Sequence, residues 1–375
     1  ETCMKKSLVA LAVLAAAGAA SAQSSVTLFG IVDATLQYGR GSVANRTQLT
    51  DSGYNSSRLG FRGTEDLGGG MSASFWLEAG LNNDDGSGDP TSSNNQTIAA
   101  FVPTTGANAP VRAGTQGLTF NRRSTVSLAG GWGELRLGRD YSPQFWNLTT
   151  FDPFGTNGVG TTQTLNGGAG GPVAVRASNT IGYFLPGNLG GFYGQAQLYL
   201  GENLRDGAAT EKDGTGAGFR VGYAAGPVNV AVAFSSTDYA STATAGQITT
   251  FNVGGQWDFG VAKLMAHFNR DTVETTAGDL DTNGWLIGAL MPVGAGEIRA
   301  SYSQSENDFN TATTTEARGR KLALGYVHNL SKRTAVYTTV ARIRNNGGAA
   351  FALGGSSTAA NTNSTGFDLG VRHSF

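Results

Sequence analysis

Hydrophobic and polar residues alternate along most of the chain with a period of two. The stretch FYGQAQLYL at 192–200 places Leu198 and Leu200 on one face and Gln195 and Gln197 on the other. The last residues, TGFDLGVRHSF, continue such a stripe to the final Phe375. This alternation is typical of β-strands that have one apolar and one polar face.

Sixteen segments carry this pattern, and no stretch beyond residue 81 has a helical period. The predicted strands lie at about 25–38, 57–66, 71–83, 120–129, 133–140, 176–185, 191–201, 216–225, 227–237, 248–259, 261–271, 281–292, 295–305, 317–328, 332–345 and 364–375.

The connections between these segments alternate between short and long ones. The short ones, such as DLGGG at 66–70 and PVGAG at 292–296, are turn-like and suit a chain with 56 glycines. The long ones are predicted at about 39–56, 84–119, 141–175, 202–215, 238–247, 272–280, 306–316 and 346–363. Short and long connections in strict alternation predict an up-and-down antiparallel meander.

The polar face carries Arg, Gln, Asn, Ser and Asp along whole strands, which is wrong for the core of a soluble two-sheet sandwich. It suits a sheet with hydrocarbon on one side and water on the other. In lipid every backbone N–H and C=O needs a partner, so the sheet has to close. We therefore expect an all-β fold, a closed 16-stranded antiparallel transmembrane β-barrel whose lumen holds an aqueous channel.

The beginning of the chain has the order of a secretory signal: Lys5 and Lys6, an apolar run, and small residues before Gln23. We expect residues 1–22 to be a removed leader and 23–375 to form one barrel domain. Cys3, the only cysteine, would leave with the leader, and with it any disulfide or thiolate site. The leader takes two of 26 basic and one of 27 acidic residues, so the mature net charge of −2 gives no general attraction for nucleic acid.

Several segments together resemble the Gram-negative general-diffusion porins, in particular their trimeric, anion-preferring branch. They are SSVTLFGIVDATLQYG (24–39), SSRLGFRGTEDLGGGMSASFWLEAGL (56–81), NRRSTVSLAGGWGELRLGRD (121–140), GVAKL (260–264), LALGYVHNLSKRTAVY (322–337) and GVRHSF (370–375). The resemblance covers the whole mature chain, and its long loops match least.

The resemblance implies that the third long loop, at about 141–175, folds into the lumen and narrows it. It also implies a basic wall of Arg58, Arg122 and Arg176 that faces the acidic groups Glu78 and Asp152.

Alternation supports most of these positions independently. With Leu59 and Phe61 outward, both Arg58 and Arg62 point inward. Arg122 and Arg123 are in conflict, because Val126 and Leu128 outward would place Arg123 inward; a bend at the start of the strand would restore Arg122, so both stay candidates. For any single arginine the alternative is a merely structural pair with a wall carboxylate.

The implied function is passive diffusion of small hydrophilic solutes and ions through an outer-membrane pore with a modest anion preference. The implied partners are two further copies in a homotrimer, outer-membrane lipid and lipopolysaccharide, and the barrel assembly machinery, which would read the last strand and Phe375. A substrate-specific channel, or a barrel that serves mainly as an adhesin or antigen, remains an alternative.

Catalysis finds little support in the chain. There are three histidines, and neither Gly-x-Ser-x-Gly nor His-Glu-x-x-His occurs. The acidic run NNDDGSGD at 82–89 lacks the spacing and terminal Glu of a calcium loop. We expect no enzyme activity, no cofactor and no metal site.

Overall fold

The computed structural model describes residues 25–92, 94–96, 117–162, 171–208, 210–241, 244–276, 278–309 and 316–375. The expected leader at residues 1–22 lies outside these residues, so the prediction for it stays a prediction.

The described chain forms a closed sheet of sixteen antiparallel strands. In chain order they are Ser25–Arg40 (β1), Arg58–Gly68 (β2), Met71–Asn82 (β3), Arg123–Gly130 (β4), Gly133–Tyr141 (β5), Arg176–Phe184 (β6), Phe192–Tyr199 (β7), Gly216–Ala225 (β8), Val228–Ser241 (β9), Thr244–Asp258 (β10), Lys263–Thr275 (β11), Gly278–Val293 (β12), Gly296–Phe309 (β13), Ala317–Asn329 (β14), Thr334–Asn346 (β15) and Ser364–Ser374 (β16). Each strand pairs with the next, and β16 pairs with β1 to close the ring. The predicted 16-stranded barrel is confirmed.

Two faces alternate around the barrel as predicted. On β7, Gln197 and Tyr199 are 2% and 0% exposed, whereas Leu198 between them is 54% exposed. The stripe on β16 is also on the outside and continues to Phe375, whose backbone exchanges two hydrogen bonds of 3.1 Å with Gly30. The apolar face is therefore the outer surface, and the polar face lines the interior.

Several expected loops are partly strand. The segment Asn45–Asp51, inside the expected loop 39–56, pairs with the second half of β1, and Ser87–Gly88 pairs with the end of β3. Strands β9 to β12 also run through most of 238–247 and 272–280, and β13 extends through 306–309. The prediction of long loops there was wrong, because strand ends that rise beyond the apolar band meet water on both faces and lose the alternation.

The third long connection, residues 142–175, is hereafter called loop 3. It contains the helix Pro143–Thr150 (α1), with Pro143 in the first turn, and the short 3₁₀ turn Gly171–Val173. Within the described ranges, no helix is both long and apolar enough to cross a membrane. The largest apolar cluster lies between loop 3, the connection before β16 and the inner faces of β14 and β15.

Candidate functional site

Loop 3 contacts residues on the interior face of the barrel. In α1, Asn147 donates from Nδ2 to Oδ1 of Asn252 on β10 over 3.0 Å, and its Oδ1 accepts a 2.5 Å bond from Nε of Arg220 on β8. Asn252 in turn donates to the backbone oxygen of Gln144 over 3.0 Å. These bonds tie the helix to the polar face of two strands.

Beyond α1, loop 3 follows the wall across four strands, each of which offers a glycine. An ideal Cβ on these glycines would lie within 3.0 Å of a loop 3 side chain. The pairs are Gly254 on β10 with Phe151, Gly288 on β12 with Pro153, Gly325 on β14 with Phe154, and Gly366 on β16 with Val159. The glycine content of these strands therefore has a physical cause: a close approach between the wall and a second layer of chain.

The Asp152 carboxylate organises loop 3 itself. It accepts bonds from the backbone N–H of Phe154 at 2.8 Å and from the N–H and hydroxyl of Thr162, both at 2.7 Å, and is 4% exposed. Its charge also interacts with that of buried Lys321 on β14. These contacts give Asp152 a folding role, and its assignment to an acidic side of the lumen stays a prediction.

Three of the predicted arginines lie together with Glu78. The Nε of Arg122 lies 2.7 Å and the Nη1 of Arg58 lies 3.3 Å from the same oxygen, Oε1 of Glu78. Arg122 and Arg176 both donate to the hydroxyl of Tyr141, over 2.7 and 2.9 Å. We call Arg58, Glu78, Arg122, Tyr141 and Arg176 the basic cluster.

Tyr141 is the member of the basic cluster that the sequence analysis missed. Its ring lies under the guanidinium of Arg176 at 4.5 Å and stacks on Phe145 of α1 with centroids 5.2 Å apart. It lies at the end of β5, where alternation gives no guidance, and it links the barrel wall to the beginning of loop 3.

The ambiguity between Arg122 and Arg123 has a structural answer. The fourth strand begins only at Arg123, so Arg122 precedes the pleat, and its side chain bends back to Glu78. Arg123 lies inside as well, with its guanidinium 4.6 Å from the ring centroid of Trp76. Both side chains therefore contact interior residues.

Arg123 belongs to a separate, charge-balanced group. Arg136 contacts Glu134 at 2.8 Å and Asp140 at 2.5 Å, and Arg123 lies 3.9 Å from Asp140. Two arginines thus meet two carboxylates here. The basic cluster instead has three arginines and one carboxylate, so the unbalanced positive charge of this wall lies there.

Arg62 lies apart from the basic cluster. It is exposed, and its guanidinium lies 5.3 Å from the ring centroid of Phe29 and 5.0 Å from that of Trp76. Trp76 also donates from Nε1 to Oε2 of Glu78 over 3.0 Å, so this aromatic pair connects Arg62 to the cluster.

The sequence analysis also missed further interior arginines, among them Arg220, Arg299 and Arg372. Arg220 contacts α1 as described, and Arg299 and Arg372 lie 4.4 and 5.2 Å from the ring of Tyr54. The signal for each was present, because Arg220 stands between outward Phe219 and Val221 and the other two occupy the same kind of position. In the described part of the chain no group of three His, Cys, Asp or Glu side chains could hold a metal ion.

The basic cluster can attract anions without holding them permanently. Guanidinium groups stay charged and offer planar donor forks for carboxylates and phosphates. Low-dielectric walls around a lumen focus the field of fixed charges along its axis. Glu78 neutralises part of this charge and holds Arg58 and Arg122, while Tyr141 holds Arg176.

Known proteins resemble this chain over its full length. Outer membrane porin protein 32 of Delftia acidovorans is 38% identical over 391 aligned residues, covering 99% of this chain and all of the relative. An outer membrane porin protein of Bordetella pertussis is 28% identical over 99% of this chain and all of the relative.

A solved structure has the same architecture. The anion-selective porin from Comamonas acidovorans superimposes with a TM-score of 0.79 at 34% identity and covers 94% of this chain and all of that one. The family model described as Gram-negative porin matches residues 7–348. Together with the closed barrel and its polar interior, these matches show that the chain belongs to the Gram-negative porin family.

Proposed function

We propose that the protein is an outer-membrane pore through which small hydrophilic solutes and ions diffuse passively, with a preference for anions. The observation that carries this proposal is the grouping of positive charge in the basic cluster, where Arg58 and Arg122 contact one carboxylate, Glu78, and Arg176 joins them through Tyr141. Similarity to a porin whose description is anion-selective supports it. Solutes follow their gradients, and no bond is made or broken, so we expect no enzyme activity.

Loop 3 supplies the constriction in this proposal. Its contacts with the interior face of β8, β10, β12, β14 and β16 keep it against one side of the wall. The basic cluster lies at its beginning, where Tyr141 joins the wall to α1. The solute path would then pass between a charged wall and the loop, and size and sign of charge would decide permeation.

Three copies would assemble through the outer face of the first and last strands. Apolar residues are exposed on this face: Val26 is 66%, Leu28 55% and Val371 49% exposed. Either lipid or a neighbouring copy can cover such a face. The exposed apolar surface therefore supports a membrane location directly and is compatible with a homotrimer. Three equal closing steps in single-channel recordings would reveal the trimer.

Reversal potentials in planar bilayers test the proposed function. With a potassium chloride gradient across the membrane, the wild type should show a potential of the sign expected for anion preference. Arg58→Ser/Arg176→Ser should shift it toward cations, because two of three cluster charges are lost. Arg270→Ser removes an arginine that pairs with Asp281 at 2.9 Å, away from the cluster, and should leave the potential unchanged.

Liposome swelling with neutral sugars of graded size separates general diffusion from a substrate-specific channel. Rates that fall with size alone support the proposal, whereas saturation by one sugar contradicts it. A reversal potential that is the same in the double arginine variant and in the wild type would refute the assignment of anion preference to the basic cluster.

A further inference from the structure

Four arginines lie on the outer face of the barrel at the ends of β14 and β15 that are far from the short turn between them. On β14, Arg318 and Arg320 share the outward side with Leu322, which is 62% exposed. On β15, Arg342 and Arg344 follow outward Val340, and both are exposed. None of these side chains contributes to the lumen.

The pairing of the two strands brings like charges together. Arg320 lies directly opposite Arg344, and Arg342 lies opposite Leu322, one outward position nearer the short turn. Like charges directly opposite each other on one face of a sheet destabilise it. The arrangement therefore calls for a negative partner.

The chain provides this partner to only one of the four arginines. Arg318 contacts Glu306 and Glu316, whereas Nε of Arg320 donates to the neutral Gln304 over 3.0 Å. In the described ranges no carboxylate forms an ion pair with Arg320, Arg342 or Arg344.

The flanking connections hold one carboxylate, Glu316, and it already contacts Arg318. Residues 310–315 and 347–363 contain neither Asp nor Glu. On β16, which pairs with β15, Asp368 lies opposite Thr339 and faces the interior, where it accepts bonds from Val159 and Gln37. In the part of the chain that the structure describes, these three arginines thus stay free of carboxylate partners, so an anion from outside the chain can bind them.

The position of the patch indicates the nature of that partner. Arg320 is nine residues from Asn329, where β14 reaches the short turn, and a tilted strand of that length rises about 20–25 Å, the height of the apolar band of such barrels. Trp285 on β12 lies opposite Gln304 on β13, which in turn lies opposite Arg320 on β14. Tryptophan favours the boundary between hydrocarbon and headgroups. The arginines therefore stand where lipid headgroups begin.

We propose that Arg320, Arg342 and Arg344 bind the phosphate groups of an outer-leaflet lipid, with its acyl chains against Leu322 and Val340. This inference rests on the membrane location in the proposed function. Guanidinium forks match phosphate oxygens in pairs, and two unpaired arginines side by side suit a headgroup with more than one phosphate. A free anion would use the same donors but would gain nothing from the apolar surface below.

The test uses the mature, folded protein in detergent micelles and lipid A that carries two phosphates. Native mass spectrometry reports the fraction of protein with bound lipid A across a titration. Arg342→Gln/Arg344→Gln should weaken binding on the order of ten-fold or more, because each basic side chain near a lipid surface contributes about 1 kcal/mol. Arg342→Lys/Arg344→Lys keeps the charge and should lose less, which separates binding from misfolding.

The matched control, Arg205→Gln/Arg270→Gln, removes two arginines from other parts of the surface, one in the connection after β7 and one on β11, and should bind like the wild type. Dephosphorylated lipid A should bind the wild type as weakly as the Gln variant binds the phosphorylated lipid. Equal loss in both double variants, or no loss in either, would overturn the site. Inorganic phosphate that displaces lipid A at equal concentration would overturn the lipid as its occupant.

The same variant separates this inference from the proposed function. In planar bilayers Arg342→Gln/Arg344→Gln should keep the conductance and reversal potential of the wild type, because these arginines lie outside the lumen. The basic-cluster variants should lose anion preference and still bind lipid A like the wild type. A changed reversal potential in the lipid-site variant would show that the patch belongs to the solute path and would contradict its placement.

Discussion

Arg122 and Glu78 form an ion pair of 2.7 Å in which both side chains are nearly inaccessible, 7% and 5% exposed. The same Glu78 oxygen holds Arg58 at 3.3 Å. One carboxylate thus keeps two guanidinium groups side by side, and the third, Arg176, follows through Tyr141. Removing the carboxylate should increase the field of the cluster and weaken its structural support at once.

Glu78→Gln tests this dual role. Loss of one negative charge should shift the reversal potential further in the direction of anion preference. Removing one partner of a buried ion pair also costs on the order of 3 kcal/mol in unfolding free energy, measurable as a lower urea midpoint in micelles. Glu65→Gln makes the same change at an exposed position of β2, near the end away from Arg58. It should alter neither the reversal potential nor the urea midpoint. An unchanged reversal potential for Glu78→Gln would contradict a role of the cluster in selectivity.

Gly254→Ala should displace loop 3 from its contact with β10. The added Cβ would overlap with Cδ2 of Phe151, so the loop has to move. A displaced loop should raise single-channel conductance and admit larger neutral sugars in liposome swelling. Gly255→Ala is the matched control, because its Cβ would meet Val230 at 3.1 Å and the backbone oxygen of Asn229 at 3.6 Å but no atom of loop 3. Equal conductance in both variants would show that this contact does not set the pore width.

The membrane-spanning part of the fold could be predicted from alternation alone. Between hydrocarbon and water, one residue in two has to be apolar, and this constraint marks each strand in the sequence. Above the membrane the constraint disappears. Asp238 and Gln247 pair across β9 and β10, yet nothing in their polar neighbourhood distinguishes a strand from a loop.

The site was predictable to the same extent. Alternation placed Arg58 and Glu78 on the interior side because both belong to strands with a regular outward stripe, Arg58 as the first residue of β2. It could not place Arg122, whose orientation depends on where β4 begins, nor Tyr141, which belongs to the cluster through a contact with α1. Such residues at strand ends are positioned by tertiary contacts that have no period in the sequence.

A cross-link can test the course of loop 3 directly. An ideal Cβ on Gly366 would lie 3.1 Å from that of Val159 and 2.9 Å from that of Leu353, so a small local shift brings the first separation into the roughly 3.5–4.5 Å of a disulfide. The expected mature chain has no cysteine, so Val159→Cys/Gly366→Cys introduces only this pair. We expect a disulfide in the folded protein, seen as a mobility shift that reduction removes. Val159→Cys/Gly370→Cys places the second thiol about 13 Å further along β16 and should not cross-link. Cross-linking in both variants would show that loop 3 does not follow a fixed course along the wall.

Phe375 should matter more for assembly in cells than for stability. Ten residue pairs join β1 to β16 without it, so Phe375→Ser should leave the refolded barrel intact in micelles. In cells, the resemblance implies that the final aromatic residue is read by the assembly machinery, and the variant should accumulate less folded barrel in the outer membrane, measured by its heat-dependent gel mobility. Phe367→Ser removes an outward aromatic residue within β16, 39% exposed, and serves as the control for lost hydrophobic surface. If Phe375→Ser lowers the amount of folded barrel in both assays, Phe375 acts by closing the ring against Gly30. Loss of a recognition signal alone would leave refolding in detergent unchanged.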